Sequence, residues 1–346
     1  MADEHDEAGA PEAVLGRLTG PELLEAVEVL LLGGAPALTR VEVAERAEVP
    51  IDVAERLWHS LGFPRADDDE VVFTEADLRA LKQTMRLIDA GILDEDSQAA
   101  MVRTWGRSFA RLAEWQTSLL ASLAVAADDP EAKLEELAGD VVPLVDALQS
   151  YIWRRHLVSA SSRMLLRPAD QESAMQAVGF VDIVGYTAQS RSLSDSDLVA
   201  LVEHFEEVAA STVTDHGGRL IKTIGDEVLY VADTPADGAR IARTLVDRAG
   251  DDRAFPDVRA GVAHGPVVSR LGDVFGPTVN IASRLTSLSR PGKVLVDKGM
   301  HDALAELDPD ESEFRLSRVR RTSVKGYSRI EPFRLRSPRK RPARTP

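Results

Sequence analysis

Residues 217–231 constrain the fold of this chain more than any other stretch, because they predict a β-hairpin. The halves on either side of Gly225-Asp226 are short and rich in residues that favour strands, and this dipeptide is typical of a tight turn. The two halves are therefore expected to be antiparallel neighbours in a sheet. Lys222 and Asp226 have the same parity, but the turn separates them, so they need not serve one site. An acid at a hairpin tip is commonly a solvated turn residue, and a role in function needs further support.

The composition limits the classes of protein to which the chain can belong. With 346 residues it is long enough for two domains, and the net charge of -16 argues against a large nucleic-acid-binding face. Cysteine is absent, which excludes disulfides and thiolate metal sites and fits a reducing compartment. The acidic start lacks the pattern of a secretory signal, and no apolar run approaches the roughly 20 residues that span a bilayer. We expect a cytoplasmic protein with no transmembrane segment and no specific nucleic-acid partner.

The patterning divides the chain into four regions. Residues 1–18 are acidic and predict disorder, and residues 19–165 predict a helical domain. Residues 174–336 alternate strand-like and helix-like runs, and residues 337–346 form a basic tail that predicts disorder. We therefore expect an all-α N-terminal domain followed by a domain of helices and strands.

A block within the helical region resembles the helix-turn-helix units of small regulatory domains. It covers Leu38 to Leu81, and its second helix is expected over Ile51–Leu61. That helix carries Asp52, Glu55 and Arg56, which supply little net positive charge for DNA contact. Packing of a small helical domain is the favoured interpretation.

Two longer helices are expected over residues 95–167, with a break near Asp128-Asp129-Pro130. Both carry strong apolar faces, which would pack into a core, against a second copy of the chain, or against a lipid. The later region is expected to contain strands at 177–183, 258–263, 267–269, 294–296, 314–319 and 332–335, besides the hairpin, and helices at 195–215, 236–249, 277–289 and 298–304.

Two acids in the later region have the properties of metal ligands. Asp182 ends a predicted strand, and the turn that follows, Gly185-Tyr186-Thr187, could cradle phosphate with free backbone N–H groups. Together with Asp226 it would provide two hard oxygen ligands, the arrangement that holds two magnesium ions on a triphosphate.

A second set of polar residues lies on one predicted helix. Asn280 and Arg284 are four residues apart and share a helix face, and Asp273 lies just before that helix. Such a pair is more often a surface feature than a catalytic one, so the spacing alone leaves both interpretations open.

Five ordered phrases resemble the class III nucleotidyl cyclase catalytic domain over residues 174–336: FVDIVGYT, IKTIGDE, VRAGVAHG, DVFGPTVNIASR and SVKGYSRIEPF. The N-terminal half is similar in layout to the autoinhibitory domain of soluble actinobacterial adenylate cyclases, some of which respond to pH. The resemblance implies a ferredoxin-like βαββαβ catalytic fold, of the α+β class. It also implies a head-to-tail homodimer whose active sites are shared between protomers.

The resemblance assigns a role to each matching position. Asp182, Asp226 and the Ile183 carbonyl would bind two Mg²⁺ or Mn²⁺ ions. Lys222 and Asp273 would read the adenine of ATP, because guanine presents the opposite pattern of donors and acceptors. Asn280 and Arg284 would stabilise the transition state, and Arg259 and Lys325 would hold the β- and γ-phosphates. One protomer would contribute Asp182, Asp226 and Arg259, and its partner the remaining side chains.

The implied activity is conversion of ATP to 3′,5′-cyclic AMP and pyrophosphate, restrained by the N-terminal domain, with a proton or a lipid as candidate signal. Three alternatives remain at this point: a guanylate cyclase, a nucleotide-binding sensor without catalysis, and a DNA-binding regulator acting through residues 38–81.

Overall fold

The structure is a computed structural model of the chain. It describes residues 28–29, 31–91, 95–129, 132–133, 136–165, 174–307, 313–319, 322–324 and 327–336. The predictions for residues 1–18 and for the tail 337–346 therefore lie outside the described residues. The chain divides into two compact units, residues 1–167 and 168–346, called here the N-terminal unit and the C-terminal unit.

The N-terminal unit is mainly helical, as its sequence pattern predicts. Its elements are β1 (Leu38–Thr39), α1 (Arg40–Ala47), α2 (Ile51–Leu61), β2 (Val71–Phe73), α3 (Glu75–Asp89), α4 (Glu95–Val125), a π-helical turn (Leu137–Val141) and α5 (Val142–Leu165). Thr74 and Asp77 form a reciprocal capping box at the start of α3. The pattern predicts helices alone, whereas β1 and β2 form a short antiparallel ladder beside them.

The block resembling a helix-turn-helix has its own apolar core. Leu38, Val43, Leu57 and Trp58 are among its buried residues, and the Trp58 ring lies 4.7 Å from that of Phe73. The arginines of its two leading helices are paired with carboxylates: Arg40 with Glu55 and Asp68, Arg46 with Glu75, and Arg56 with Asp52. Cations already neutralised in this way are poorly suited to contact DNA phosphates.

Helices α4 and α5 keep much of their apolar surface exposed within the described part of the unit. Phe109 and Trp115 are examples on α4, as are Leu148 and Ile152 on α5. A second copy of the chain and a lipid remain the predicted partners of these faces. No helix within the described ranges is long and apolar enough to cross a membrane.

The C-terminal unit contains the predicted βαββαβ order and continues beyond it. Its elements are β3 (Ala174–Ile183), α6 (Tyr186–Gln189), α7 (Asp195–Asp215), β4 (Arg219–Ile224), β5 (Glu227–Ala232), α8 (Pro235–Asp251), β6 (Val258–Arg270), β7 (Asp273–Phe275), α9 (Pro277–Leu288), β8 (Val294–Val296), α10 (Lys298–Ala305), β9 (Arg315–Arg318), β10 (Thr322–Val324), β11 (Tyr327–Ile330) and β12 (Phe333–Arg336). The main sheet has the strand order β4-β5-β3-β6-β8-β12-β9, with β7 beside β6.

Strand β6 differs from its prediction, and β7, β10 and β11 have no counterpart among the expected strands. The two runs expected at 258–263 and 267–269 form the single strand β6, although Gly265 and Pro266 lie between them. Pairing with β3 continues through this point, with Pro266 opposite Met175 and Val267 opposite Ala174. The ladder to a buried neighbour therefore overrides the local signal for a break.

Helices cover both faces of this sheet. Helices α7, α8 and α10 pack on one face, where Phe205, Ile241 and Met300 belong to the largest core cluster. Helix α9 packs on the other face, where Ala282 joins a second cluster with Phe180 and other strand residues.

A glycine in β3 makes room for the largest buried side chain of the unit. A Cβ atom at Gly179 would lie 2.1 Å from the ring of its cross-strand partner Tyr230, whose hydroxyl donates a hydrogen bond to the Gly238 carbonyl at 2.7 Å. Replacing Gly179 by alanine is expected to destabilise the unit by roughly 1–3 kcal/mol, because the ring must move within a packed core. The change is measurable as a lower calorimetric Tm. Gly250→Ala is the control, since a Cβ there meets nothing within 4 Å, and equal Tm values for the two variants would contradict this account.

Candidate active site

The carboxyl end of β3 brings together the first group of predicted site residues. Asp182 lies opposite Arg259 of β6 and opposite Glu227 of β5 in the ladders on its two sides. The Arg259 Nε atom donates to Asp182 Oδ2 at 2.6 Å, and the Nη2 atom lies 2.6 Å from the same oxygen in an ion pair. Burial raises the pKa of Asp182, Arg259 opposes the rise, and the charge of Asp226 adds to it.

The hairpin tip docks against the end of this strand. The Ile183 N–H donates to the Asp226 carbonyl at 3.0 Å, and the Val184 N–H donates to the Asp257 carbonyl at 2.8 Å. Gly225 at the tip has a φ of 63°, which glycine adopts readily. The predicted metal ligands Asp182, Ile183 and Asp226 thus meet at one edge of the sheet.

The chemistry of these residues fits a hard divalent cation. Two carboxylates close enough for Asp226 to raise the pKa of Asp182 provide oxygen ligands of the kind that Mg²⁺ prefers. Within the described ranges, however, no group of three or more acidic or histidine side chains has the geometry of a complete metal site. Further ligands would have to come from backbone, water or substrate.

The glycine-containing turn after β3 leads into the short helix α6. Gly185 has a φ of 73° and precedes Tyr186, which packs partly against the main core, while Thr187 is exposed. The Gln189 side chain donates to the Val184 carbonyl at 2.9 Å and ties the end of the helix back to the turn. The predicted phosphate-binding segment therefore begins directly beside Asp182.

Glu227 is a member of this cluster that the sequence interpretation missed. Burial, aided by the charges of Asp182 and Asp226, raises its pKa to about 7, and Arg259 partly opposes the rise. The sequence contained a signal for Glu227. It follows Asp226 directly and begins the strand β5, which pairs with the strand that carries Asp182.

Glu227→Gln is expected to stabilise the metal-free protein more at pH 8 than at pH 5. The folded state holds the Glu227 proton up to about pH 7, whereas the ordinary value is 4.5. The contribution of this proton to the free energy of unfolding is fully present below pH 4.5 and is lost as the pH rises through about 7. The difference in Tm between variant and wild type, measured in EDTA, should therefore grow between pH 5 and pH 8. Glu203→Gln on the exposed face of α7 is the control, and a pH-independent difference for Glu227→Gln would refute the account.

Lys222 and Asp273 form the second group. The Lys222 Nζ atom lies 2.5 Å from Asp273 Oδ2, and both side chains are partly exposed, at 42% and 31%. Burial raises the pKa of Asp273, but the Lys222 ammonium and the Val274 N–H outweigh it, so that the net shift is downward. Although 51 positions apart in sequence, these two residues present a donor and an acceptor at the same point.

A β-bulge precedes Lys222 in β4. Leu220 lies opposite Tyr230 and Lys222 lies opposite Leu229, which leaves Ile221 as the additional residue. Ile221 packs against the same cluster as Leu229, on the face that α9 covers. Lys222 is thereby on the side of the sheet from which Asp273 approaches.

Helix α9 carries the predicted transition-state pair on its exposed side. Asn280 and Arg284 are both exposed, one turn apart. The helix is fixed to the sheet by Thr286, whose hydroxyl hydrogen bonds to the Phe180 carbonyl at 3.3 Å. The helix can approach β6 closely because Gly261 has no side chain. A Cβ atom at this position would lie 2.3 Å from the Thr286 nitrogen.

The two groups stay separate within one chain. Among the described residues, no side-chain hydrogen bond or ion pair links the Asp182 cluster to the Lys222–Asp273 pair or to Asn280 and Arg284. Lys325 lies outside the described residues. The geometry is compatible with two half-sites that two copies of the chain would complete.

Comparison with known proteins assigns both parts of the chain to known domain families. Residues 169–337 match the adenylate and guanylate cyclase catalytic domain, and residues 7–157 match the adenylate cyclase regulatory domain. The fold and the matched domain define the class of protein, a class III nucleotidyl cyclase.

Similar proteins come from several bacteria. An adenylate cyclase of Glutamicibacter nicotianae is 38% identical over 95% of this chain and 84% of its own length. One from Streptomyces coelicolor is 39% identical over 80% of this chain and 74% of its own length. A pH-sensitive adenylate cyclase of Mycobacterium tuberculosis is 31% identical over 92% and 83%, respectively. The chain belongs to the family of adenylate cyclases that join this catalytic domain to an N-terminal regulatory domain.

A solved structure is similar to about half of the chain. The adenylyl cyclase CyaB from P. aeruginosa is 20% identical, with a TM-score of 0.41, over 49% of this chain and 96% of that chain.

Proposed function

We propose that this chain converts ATP to 3′,5′-cyclic AMP and pyrophosphate. The observation that carries the choice of base is the contact between Lys222 and Asp273. The ammonium can donate to adenine N1, and the carboxylate can accept from the exocyclic amine. A site built in this way leaves polar groups unpaired with guanine, which can give a large discrimination. The relatives named adenylate cyclase support the same substrate.

The reaction is an attack of the ribose 3′-oxygen on the α-phosphorus, with pyrophosphate leaving and the hydroxyl proton released. Arg284 would meet the charge that develops on the α-phosphate with a fixed fork of donors, and Asn280 would orient the ribose. Mg²⁺ or Mn²⁺, two per site in our proposal, would neutralise the phosphates and lower the pKa of the 3′-hydroxyl when held by Asp182 and Asp226.

The active site is proposed to form between two copies of the chain. Each site would take Asp182, Asp226 and Arg259 from one protomer, and Lys222, Asp273, Asn280, Arg284 and Lys325 from the other. The separation of the two groups within one chain supports this arrangement, and a two-fold axis would then generate two equivalent sites.

The test of the activity is direct. The purified full chain, incubated with ATP or GTP and with Mg²⁺ or Mn²⁺, is expected to form cyclic AMP, detected by mass spectrometry. Nucleotide binding without a cyclic product would favour the non-catalytic sensor, and a preference for GTP would favour a guanylate cyclase.

The N-terminal unit is proposed to restrain the catalytic unit, in response to a proton or a lipid. The exposed apolar faces of α4 and α5 support a role in contacts that could change with the signal. Deleting residues 1–165 is expected to raise the rate of cyclic AMP formation per site. An unchanged rate would remove the restraint from the proposal without affecting the catalytic assignment.

A further inference from the structure

We infer that Arg259 competes with a divalent cation for Asp182 in the nucleotide-free protein, because its guanidinium lies against one oxygen of that carboxylate. This inference rests on the proposed function, because it assumes that Asp182 is a metal ligand.

The contact is built into the sheet. Asp182 and Arg259 are direct cross-strand partners in the ladder between β3 and β6, which is ten residue pairs long and runs from Ala174 to Ile183 of β3. The guanidinium Nε and Nη2 atoms both lie 2.6 Å from the same oxygen, Asp182 Oδ2, and Nε donates a hydrogen bond to it. The Asp182 side chain is 14% exposed and that of Arg259 is 35% exposed, so the pair is partly shielded from water. Charge-assisted contacts of this kind are among the stronger hydrogen bonds in proteins.

The carboxyl groups around Asp182 repel one another, and a cation beside them reduces this repulsion. Asp182, Asp226 and Glu227 place three carboxyl groups at one edge of the sheet, and each of the first two raises the pKa of Glu227. Arg259 acts in the opposite direction on both Asp182 and Glu227. A guanidinium and a divalent ion carry charge of the same sign, so each weakens the binding of the other at the same carboxylate. Arg259 therefore competes with metal for Asp182.

The same residue is the proposed ligand of the β- and γ-phosphates. When the guanidinium turns to a triphosphate, it leaves Asp182 free for the metal, so nucleotide and metal are expected to favour each other's binding. Such coupling is reciprocal by thermodynamic necessity. Arg259 would then act as a positioning residue that keeps the metal affinity low until nucleotide is present.

The test measures Mn²⁺ binding without nucleotide, by electron paramagnetic resonance on the metal-stripped full chain. Arg259→Gln is expected to tighten Mn²⁺ binding roughly tenfold, within the usual range of coupling between sites. Arg259→Lys keeps the charge but loses the fork of donors, so a smaller gain is expected. Arg270→Gln removes the same charge at the far end of the same strand and should leave the affinity unchanged.

Two further measurements guard against an indirect effect. Adding Asp182→Asn to Arg259→Gln should abolish the gain, which assigns it to this carboxylate. Mn²⁺ should also raise the Tm of Arg259→Gln by more than that of wild type, because the metal binds the folded state more tightly. Mn²⁺ affinity that is unchanged or weaker in Arg259→Gln and Arg259→Lys would overturn the inference. Cyclic AMP formation by the wild-type chain in that case would leave the proposed function intact.

Discussion

Replacing Arg284 by alanine is expected to lower kcat for cyclic AMP formation by about 10²–10³-fold, the typical cost of one donor aimed at developing charge. The KM for ATP should change little, because this interaction is proposed to strengthen in the transition state. The side chain is exposed, and within the described residues it makes no hydrogen bond or ion pair that its loss would break. The Tm should therefore stay at the wild-type value. Asn280→Ala should act in the same direction.

The control is Arg290→Ala, which removes an exposed cation just beyond the end of α9. It should keep full activity. An Arg284→Ala enzyme with wild-type kcat would contradict the role of α9 in catalysis.

Mixing two inactive variants extends this prediction to the shared site. Asp226→Ala removes a proposed metal ligand, and Arg284→Ala removes the donor from α9. A mixed dimer would contain one site with both defects and one intact site, so activity should recover on co-refolding or co-expression. Two variants that both alter the same half, such as Asp226→Ala with Asp182→Ala, should not complement. Failure of the first mixture to recover, with mixed dimers demonstrated, would show that each chain holds a complete site.

The second large effect concerns the base. The double change Lys222→Glu and Asp273→Cys is expected to lower kcat/KM for ATP by about 10⁴-fold or more, since polar groups that the bound base leaves without partners discriminate strongly. Activity with GTP should rise at the same time, because a carboxylate at position 222 can accept hydrogen bonds from the N1–H and amino groups of guanine. The measurement is the ratio of cyclic GMP to cyclic AMP formed from equal concentrations of the two nucleotides.

The matched control keeps an ion pair between positions 222 and 273 but exchanges the two charges. Lys222→Asp with Asp273→Lys restores opposite charges while exchanging donor and acceptor, so ATP activity should remain low. Full ATP activity in this variant would mean that the pair has a structural role and does not read the base.

Local sequence patterns predicted most of the secondary structure, because the spacing of apolar residues shows which face of a helix or strand is buried. Helices α2 and α7 begin and end where expected, and so does strand β8. The continuous strand β6 was not predictable in this way. Its apparent break at Gly265-Pro266 is a local signal, whereas its continuity depends on pairing with β3, which is distant in sequence.

The site residues divide in the same manner. The order and spacing of five motifs in the sequence suffice to indicate a class III cyclase and to nominate Lys222 and Asp226. The alternation of side chains along the six residues of β4 does not reveal the bulge at Ile221. It also does not reveal that the Asp273 carboxylate lies 2.5 Å from the Lys222 ammonium. Glu227 likewise looks like an ordinary first strand residue until the ladder places it opposite Asp182.

The sequence by itself thus determined the family, the order of elements and the chemical types available for catalysis, because these depend on residue identity and short-range periodicity. Tertiary structure alone decided which charges face one another. Arg259 contacts Asp182 although the two residues are 77 positions apart, and Glu227 lies opposite Asp182 although it is 45 positions away. Neighbouring strands of one sheet bring these residues together. Register between distant strands is set by the burial of whole faces, and no local pattern records it.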